Sequence, residues 1–365
     1  MGKRTANDLK MLQAEPLETK VKMTQTLIKD WVERYGEDGV YLSFSGGKDS
    51  TVLLDIARDL YPEMLAVFVD TGLEYPEIRK FVKGYENVEW LKPKKTFRQA
   101  IQEYGYPFIS KEVADRVSAA KRYITRLESE NEDVGDENGL LDWDKISRIL
   151  EKRGIGCGGG VVRTAKQCGC FTKDNRIKAN PTKDEKSNYC CDKYKFLVEA
   201  PFDVSANCCN VMKKSPVHSF SRKTGRKPIT AQMASESFLR KSNWLKFGCN
   251  GFDMTSPMSN PMSFWTEQDV LRYVLEHGLE ICSVYGEIVE DASGKLSTTG
   301  CNRTGCMFCG FGCHLEKAGG GRFVKMKETH PVQYDYIMRP TEQGGLGYRE
   351  IIDWLNEHGG FRIEY

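Results

Sequence analysis

Long apolar runs are what this chain most plainly lacks. Nowhere in its 365 residues does a stretch approach the roughly 18 consecutive apolar residues that a membrane-spanning helix needs. The opening residues, Met1 to Asp8, carry no apolar core of the kind that marks a secretory signal. Both absences read as a soluble, cytoplasmic protein without a membrane partner. A dominant charge is missing too: 53 Lys and Arg against 51 Asp and Glu leave a net charge of +2, so nothing global draws the chain to nucleic acid, and only a local basic patch could do so. No internal repeat is present. What is abundant is cysteine, thirteen in all. Without a secretion signal, their clustering points to metal or catalytic use rather than a disulfide framework.

The most informative stretch is Tyr41-Leu42-Ser43-Phe44-Ser45-Gly46-Gly47-Lys48-Asp49-Ser50-Thr51, an apolar strand, a glycine turn and the start of a helix. Two glycines let the backbone turn tightly enough to aim its N–H groups at a ligand, the helix adds the positive end of its dipole, and Lys48 adds a full charge. That combination suits a triphosphate or pyrophosphate. It is not a Walker A loop, because Leu42 stands where the first glycine of GxxxxGK[ST] would be.

Around it the pattern reads as α/β. The 3-4 spacing of Val21, Leu27, Ile28, Trp31, Val32 and Tyr35 predicts a helix from Leu17 to Tyr35 that stops at Gly36. Val40 to Phe44 and Met64 to Val69 are strands of a parallel βαβ unit around a helix from Ser50 to Leu60. The second strand runs into Val69-Asp70-Thr71-Gly72, which places a carboxylate at the carboxyl edge of the sheet, where open α/β folds bind ligands. Asp70 is therefore a candidate site residue. Further on, Thr96 and Ser110 are read as helix caps, Pro228 to Met233 as a strand, and Thr266 to Asp269 as a capping box. Residues 128–193, acidic and then rich in Gly and Cys, read as an insertion outside the core. The expected segments are 1–127, 128–193, 194–290 and a Cys-rich end, 291–365.

Eleven cysteines fall into three groups: Cys157, Cys168, Cys170, Cys190 and Cys191; Cys208 and Cys209; and Cys301, Cys306, Cys309 and Cys313. The last spacing suits zinc or an iron–sulfur cluster equally well. The adjacent pair Cys208-Cys209 favours a cluster, since neighbouring thiolates can serve different irons. In the polar segment, Cys157, Cys168, Cys170 and Cys190 are a candidate zinc site that would staple a region with few apolar residues.

SGGKDS at Ser45 to Ser50, VDTG at Val69 to Gly72, Cys208-Cys209-Asn210-Val211-Met212-Lys213-Lys214-Ser215-Pro216, Phe264 to Val270, and Gly305-Cys306-Met307-Phe308-Cys309 occur in one order. In that order the chain resembles the PAPS/APS reductase-like branch of the PP-loop ATP pyrophosphatase superfamily. The resemblance implies a Rossmann-like parallel sheet of the adenine nucleotide alpha hydrolase type, flanked by helices, with a Cys-rich insertion and a C-terminal cluster-binding region. It implies that Ser45, Gly46, Gly47, Lys48, Asp49 and Ser50 bind the phosphates of an adenine nucleotide, and that Val69, Asp70, Thr71 and Gly72 line its nucleoside. Lys48, Asp49 and Asp70 become the candidate catalytic residues. Cys208, Cys209, Cys306 and Cys309 match the CC and CxxC that hold a [4Fe-4S] cluster, with Lys213 or Lys214 beside it.

Two departures from the family pattern redirect the expectation. Where the reductases have a Gly-x-Arg motif for the substrate anion, this chain has Ala231-Gln232-Met233, with Ser237 and Arg240 as the recognisable remainder. No cysteine follows Cys313 to act as the reductases' tail nucleophile. The expected function is thus an enzyme that splits ATP, bound with Mg²⁺, into AMP and pyrophosphate, adenylating an acceptor for sulfur transfer. Enzymes of DNA phosphorothioation of the DndC type are the nearest in logic. A cysteine desulfurase is the expected kind of sulfur donor, and a nucleic acid or a partner protein the expected acceptor. The alternatives are a PAPS or APS reductase with another nucleophile, and a non-catalytic nucleotide and cluster sensor.

Overall fold

The structure, a computed structural model, describes residues 4–365. Its chain divides into two compact units, one formed by the chain up to Lys94 with Met212–Met307, the other by Lys95–Val211 with Phe308–Tyr365. These units interleave along the chain, whereas the expected segment boundaries at 127/128, 193/194 and 290/291 stay a proposal about sequence modules. Among the described residues, no helix is long and apolar enough to cross a membrane.

The first unit opens with α1 (Ala6–Ala14) and α2 (Leu17–Tyr35), then alternates β1 (Val40–Ser43), α3 (Lys48–Leu60), β2 (Ala66–Val69), α4 (Pro76–Lys83) and β3 (Val88–Leu91). α2 buries Ile28, Trp31 and Val32 and ends where Gly36 takes φ +79°, as its periodicity predicts. In the six-stranded sheet, β3, β2 and β1 are followed by Lys227–Ile229, Met258–Ser259 and Asn250–Gly251. All neighbours are parallel except the last pair. Strands β1 and β2 are apolar along their length, because helices covering both faces of a parallel sheet leave no wet side. Leu42, Leu53, Leu54, Ile56, Ala66 and Ile229 are fully buried there. Truncating one such leucine to alanine costs about 2–5 kcal/mol.

One expected strand is shorter than its sequence implied. Pro228 to Met233 reads as extended, yet the strand stops at Ile229. Thr230 still donates its N–H to Ser259, but its hydroxyl turns to Asn260, and Glu236 reaches back to cap the Met233 N–H at 3.0 Å. These local side-chain bonds pull the backbone out of the ladder and into a turn.

In the same unit, Thr266 caps the helix Glu267–Glu276 through a reciprocal box with Asp269. Asp269 also accepts a 2.8 Å bond from the buried Lys20, and Trp265 donates to Thr24 at 2.9 Å, so the start of this helix is fastened to α2. Its first residue, Glu267, is thereby aimed at the loop after β1.

The second unit is mostly helical. Ser110 caps Lys111–Ser129, as its sequence predicts, and Gly159–Cys168 packs along that helix. Residues 128–193 do not sit outside a core. Ile146, Leu150, Val161 and Ala165 are fully buried. Two short amphipathic helices, Trp143–Arg153 and Gly159–Cys168, supply them, and the polar and glycine residues between hide the periodicity. Near the end of the chain, Gly310–Phe311 pairs in parallel with Phe108–Ile109. A Cβ at Gly310 would lie 2.7 Å from the Phe108 ring, so only glycine permits this pairing.

Candidate nucleotide site and the cysteine groups

The loop between β1 and α3 is built as its sequence suggests. Gly46 has φ +70°, and a Cβ there would fall 2.7 Å from Val82 and 2.9 Å from Ile78, two buried residues of α4. Glycine is required twice over, for the backbone and for the packing. The loop's donors are held by hydroxyl oxygens. Gly47 N donates to Ser45 Oγ at 3.3 Å and Lys48 N to the Tyr285 phenol at 3.2 Å. Ser50 Oγ closes the turn, accepting from Ser45 N and donating to Gly47 O. Such a ring of N–H groups facing oxygen acceptors at a helix start is the geometry in which a phosphate binds.

Lys48 is only 4% exposed. Its ammonium donates to Asn302 O at 3.0 Å and pairs with Glu267 at 3.1 Å and Asp49 at 3.7 Å. Tyr285, whose phenol burial pushes up to about 12, shares a 2.6 Å hydrogen bond with Thr304. The segment Asn302 to Thr304 is thus tied to the loop at both ends. Burial raises the Asp49 carboxyl pKa above its ordinary value against the pull of Lys48, with Glu267 raising it further and Arg303 and Arg240 opposing. Its Oδ1 is buried and accepts no hydrogen bond among the described residues.

Beside the loop lies a cleft of about 160 Å³ at the carboxyl ends of β1 and β2. Val67, Phe68, Ile78 and Val217 give it apolar walls, and Ser45, Glu74, Lys213 and Thr304 give it polar edges. A few polar groups around apolar walls suit a nucleoside. Of the expected nucleoside residues, Val69 lines this cleft. Asp70 has both oxygens engaged, one in a 2.8 Å ion pair with Arg79 and one by the Gly72 N–H at 3.3 Å. Thr71 donates from its N–H and hydroxyl to Glu74, which fixes that carboxylate at the cleft. Asp70 and Thr71 therefore shape the turn and orient Glu74.

Ser237 caps the helix Phe238–Phe247, accepting from Arg240 N. Arg240 pairs with Glu236, and so does Arg303, at 2.7 Å. Met233, at the end of the altered Gly-x-Arg position, is buried in the core. Cationic charge at the loop comes instead from Lys48, Arg240 and Arg303. Sequence reading missed Glu267, Tyr285, Arg303 and Thr304. Glu267 carried a faint signal, as an acidic residue in the first turn of a capped helix, but nothing local marked its partner.

The cysteine groups are arranged differently. Among the described residues, no group of three or more His, Cys, Asp or Glu side chains is gathered so as to hold a metal ion. In the second unit, Cys209 lies close enough to Cys309 to raise its thiol pKa, though burial is the larger cause. Cys313 is buried and its thiol is pushed up to about 12, chiefly by burial. Cys306 falls just before the chain leaves the first unit. Among the described residues the expected cluster set is not gathered into a metal site, and the [4Fe-4S] cluster stays a proposal. Nor does the expected zinc set converge. Cys157 is exposed and bonded to Arg153 O, Cys190 to Phe171 O, Cys168 to Trp143 O and Cys170 to Ala165 O. Cys191, outside that set, donates to Gln167 at 2.9 Å.

The phosphoadenosine phosphosulfate reductase domain matches residues 39–133 and 172–310, more than half of the chain. The chain belongs to this family. The expected phosphate loop, Ser45 to Ser50, lies within the matched residues, and the unmatched residues 134–171 hold the two short helices of the second unit. Among curated relatives, two uncharacterized proteins of Methanocaldococcus jannaschii are similar to it. MJ0973 is 33% identical over 93 residues (24% of this chain, 22% of the relative), and MJ0066 is 30% identical over 122 residues (31% and 25%). The glutamine-hydrolyzing GMP synthase of Cytophaga hutchinsonii is 25% identical over 160 residues (42% and 30%). The chain thus spans under a third of the length of each of these relatives. A phosphate complex of the phosphoadenylyl-sulfate reductase from Candida auris matches 80% of this chain and 98% of its own. Its TM-score of 0.36 and identity of 11% are too low to support an argument.

Proposed function

We propose that this PAPS reductase-family protein cleaves ATP between its α- and β-phosphates and transfers the adenylyl group to an acceptor that then receives sulfur. The observation that carries this reading is the buried, hydrogen-bond-free Oδ1 of Asp49 set among Lys48, Arg240 and Arg303. A buried carboxylate oxygen that accepts no hydrogen bond and lies beside cations fits a site that takes up a magnesium–polyphosphate together, since Mg²⁺ is commonly held by one or two carboxylates plus substrate phosphates. Asp49, with Glu267 near it, would hold that ion, which when bound supplies charge neutralisation on the phosphates.

The chain's own residues supply the rest. The N–H groups of Gly47 and Lys48 would exchange their hydroxyl acceptors for phosphate oxygens. Lys48, anchored to Glu267, would turn its ammonium to the pyrophosphate as negative charge builds there. An acceptor oxygen attacks the α-phosphorus, the bond to the bridging oxygen breaks, and pyrophosphate leaves. A sulfur nucleophile then displaces AMP. The apolar cleft walled by Val67, Phe68 and Ile78 holds the nucleoside and limits water. A DndC-like role with a nucleic-acid acceptor and a cysteine desulfurase as donor rests on motif order alone. No step is routed through an iron–sulfur cluster, because the thiols are not gathered for one.

The test is release of AMP and pyrophosphate from ATP by the purified chain with Mg²⁺ and candidate acceptors. Sulfite release from APS or PAPS with a thiol donor, and none of the ATP reaction, would establish the reductase reading that the family match favours.

A further inference from the structure

Two arginines from distant parts of the chain meet on one carboxylate at the rim of the loop. Glu236 is fixed by the Met233 N–H at 3.0 Å and is 14% exposed. Through one oxygen it holds Arg240 and through the other Arg303. Each guanidinium has five N–H donors, so a shared carboxylate leaves most of them unused. Arg303 is 67% exposed at its side chain, yet its backbone neighbours are pinned. Asn302 O accepts from Lys48 Nζ at 3.0 Å, and Thr304 Oγ1 sits 2.6 Å from the Tyr285 phenol that also contacts Lys48 N. Its guanidinium is therefore held at the mouth of the phosphate loop while its donors stay open to solvent. Two guanidinium groups side by side repel unless an anion joins them; Glu236 bridges both, and Asp49, the other carboxylate near them, accepts no hydrogen bond from either at its buried Oδ1.

We propose that Arg240 and Arg303 form an anion clamp for the group carried beyond the α-phosphate of a bound adenine nucleotide, which is the pyrophosphate half of ATP. This deepens the ATP reading and rests on it. Glu236 is the positioning carboxylate that sets the two guanidinium planes next to each other. Bidentate guanidinium–phosphate pairing is the strongest recognition such a pair can offer. Arg303 thereby determines that the site distinguishes a nucleoside triphosphate from a monophosphate, while the loop N–H groups and the apolar cleft bind what the two have in common.

The experiment compares wild type, Arg303→Met and Arg303→Lys by titration calorimetry with ATP, AMP and phosphoadenosine phosphosulfate in the presence of Mg²⁺. Arg303→Met should weaken ATP about tenfold or more, the scale of a lost hydrogen-bonded charge pair, and leave AMP within about twofold. Arg303→Lys should recover part of the ATP loss. Equal weakening of ATP and AMP, or no change in either, overturns the clamp. Selective loss for phosphoadenosine phosphosulfate with none for ATP overturns the assignment to pyrophosphate. Thermal melting of each variant excludes a folding defect as the cause. Cleavage is measured separately. Selective loss of ATP affinity in Arg303→Met, with wild type that releases no pyrophosphate, refutes the cleavage reading and supports the clamp. Cleavage by a variant whose ATP affinity is undiminished refutes only the clamp.

Discussion

The loop end of the first unit and the thiol-rich second unit treat reactive side chains in opposite ways. At the loop, residues from Ser45 to Thr304 are drawn onto a few backbone donors, and Asp49 keeps a buried oxygen that accepts no hydrogen bond, with the Lys48 ammonium 3.7 Å away. In the second unit, thiols bond to backbone carbonyls or to Gln167, and several are pushed up in pKa by burial. A group that is buried yet left unsatisfied is a free-energy cost that a ligand can relieve. A protonated thiol resting on a carbonyl carries little such cost. The contrast is one of charge: the second unit also buries unsatisfied polar atoms, at Gln167 and His314, but among the described residues only the loop sets a buried carboxylate oxygen without a hydrogen bond among cations, so cysteine number is a weak guide to where a charged ligand would be met.

The largest expected effect breaks the loop side of this contrast. Lys48→Ala removes the positive charge at the first residue of α3 and should lower ATP cleavage by about a hundredfold or more, the scale seen when a preorganised transition-state donor is lost. Pyrophosphate release measures it. Cleavage at wild-type rate would take the loop out of the mechanism. Next is Gly46→Ala. A side chain at φ +70° costs about 1–2 kcal/mol, and overpacking Val82 and Ile78 adds about 1–3 kcal/mol, so urea unfolding should show a loss of roughly 2–5 kcal/mol. A loss below about 0.5 kcal/mol would mean that the loop relaxes freely and is not preorganised.

Much of the loop was legible from Ser45 to Ser50 alone, because glycine conformation, helix polarity and lysine charge all act within a few residues. The capping box at Thr266 and the caps at Thr96 and Ser110 were legible for the same reason. Arg303, Glu236 and Tyr285 were not. Their roles depend on which segments the tertiary fold brings to the loop, and no local propensity encodes that. Asp70 shows the converse. Its place after β2 marks it for chemistry, which stays a proposal; the structure adds what the sequence did not show, that both its oxygens are engaged, by Arg79 of α4 and by the Gly72 N–H of the turn. The helices of residues 134–171 were obscured because their buried positions are few and are separated by polar and glycine residues.

A smaller effect concerns the orphaned oxygen. Burial raises the Asp49 pKa in the folded protein, so the folded state binds its proton more readily than the unfolded state does. Stability from this residue is therefore lost as pH rises from the model-peptide value of 3.8 through the raised folded value, and the penalty is complete above it. Asp49→Asn should make the nucleotide-free protein slightly more heat-stable at pH 7, with the advantage shrinking as pH falls towards 3.8. An Asn variant that is less stable at pH 7 would mean that the attraction of Lys48, Arg240 and Arg303 outweighs burial.

The smallest expected effect tests the thiol side. Because neither thiol touches the loop or its cleft, Cys208→Ser and Cys309→Ser should each change ATP cleavage by less than about twofold. The same should hold for protein purified with an iron chelator. Cys208 and Cys309 differ from Lys48 in that no loop donor or cleft wall depends on them. A tenfold loss in either variant, accompanied by about four irons per wild-type chain from anaerobic preparation, would show that the thiols close around a cluster on loading. The contrast between the two regions would then be one of state rather than of function.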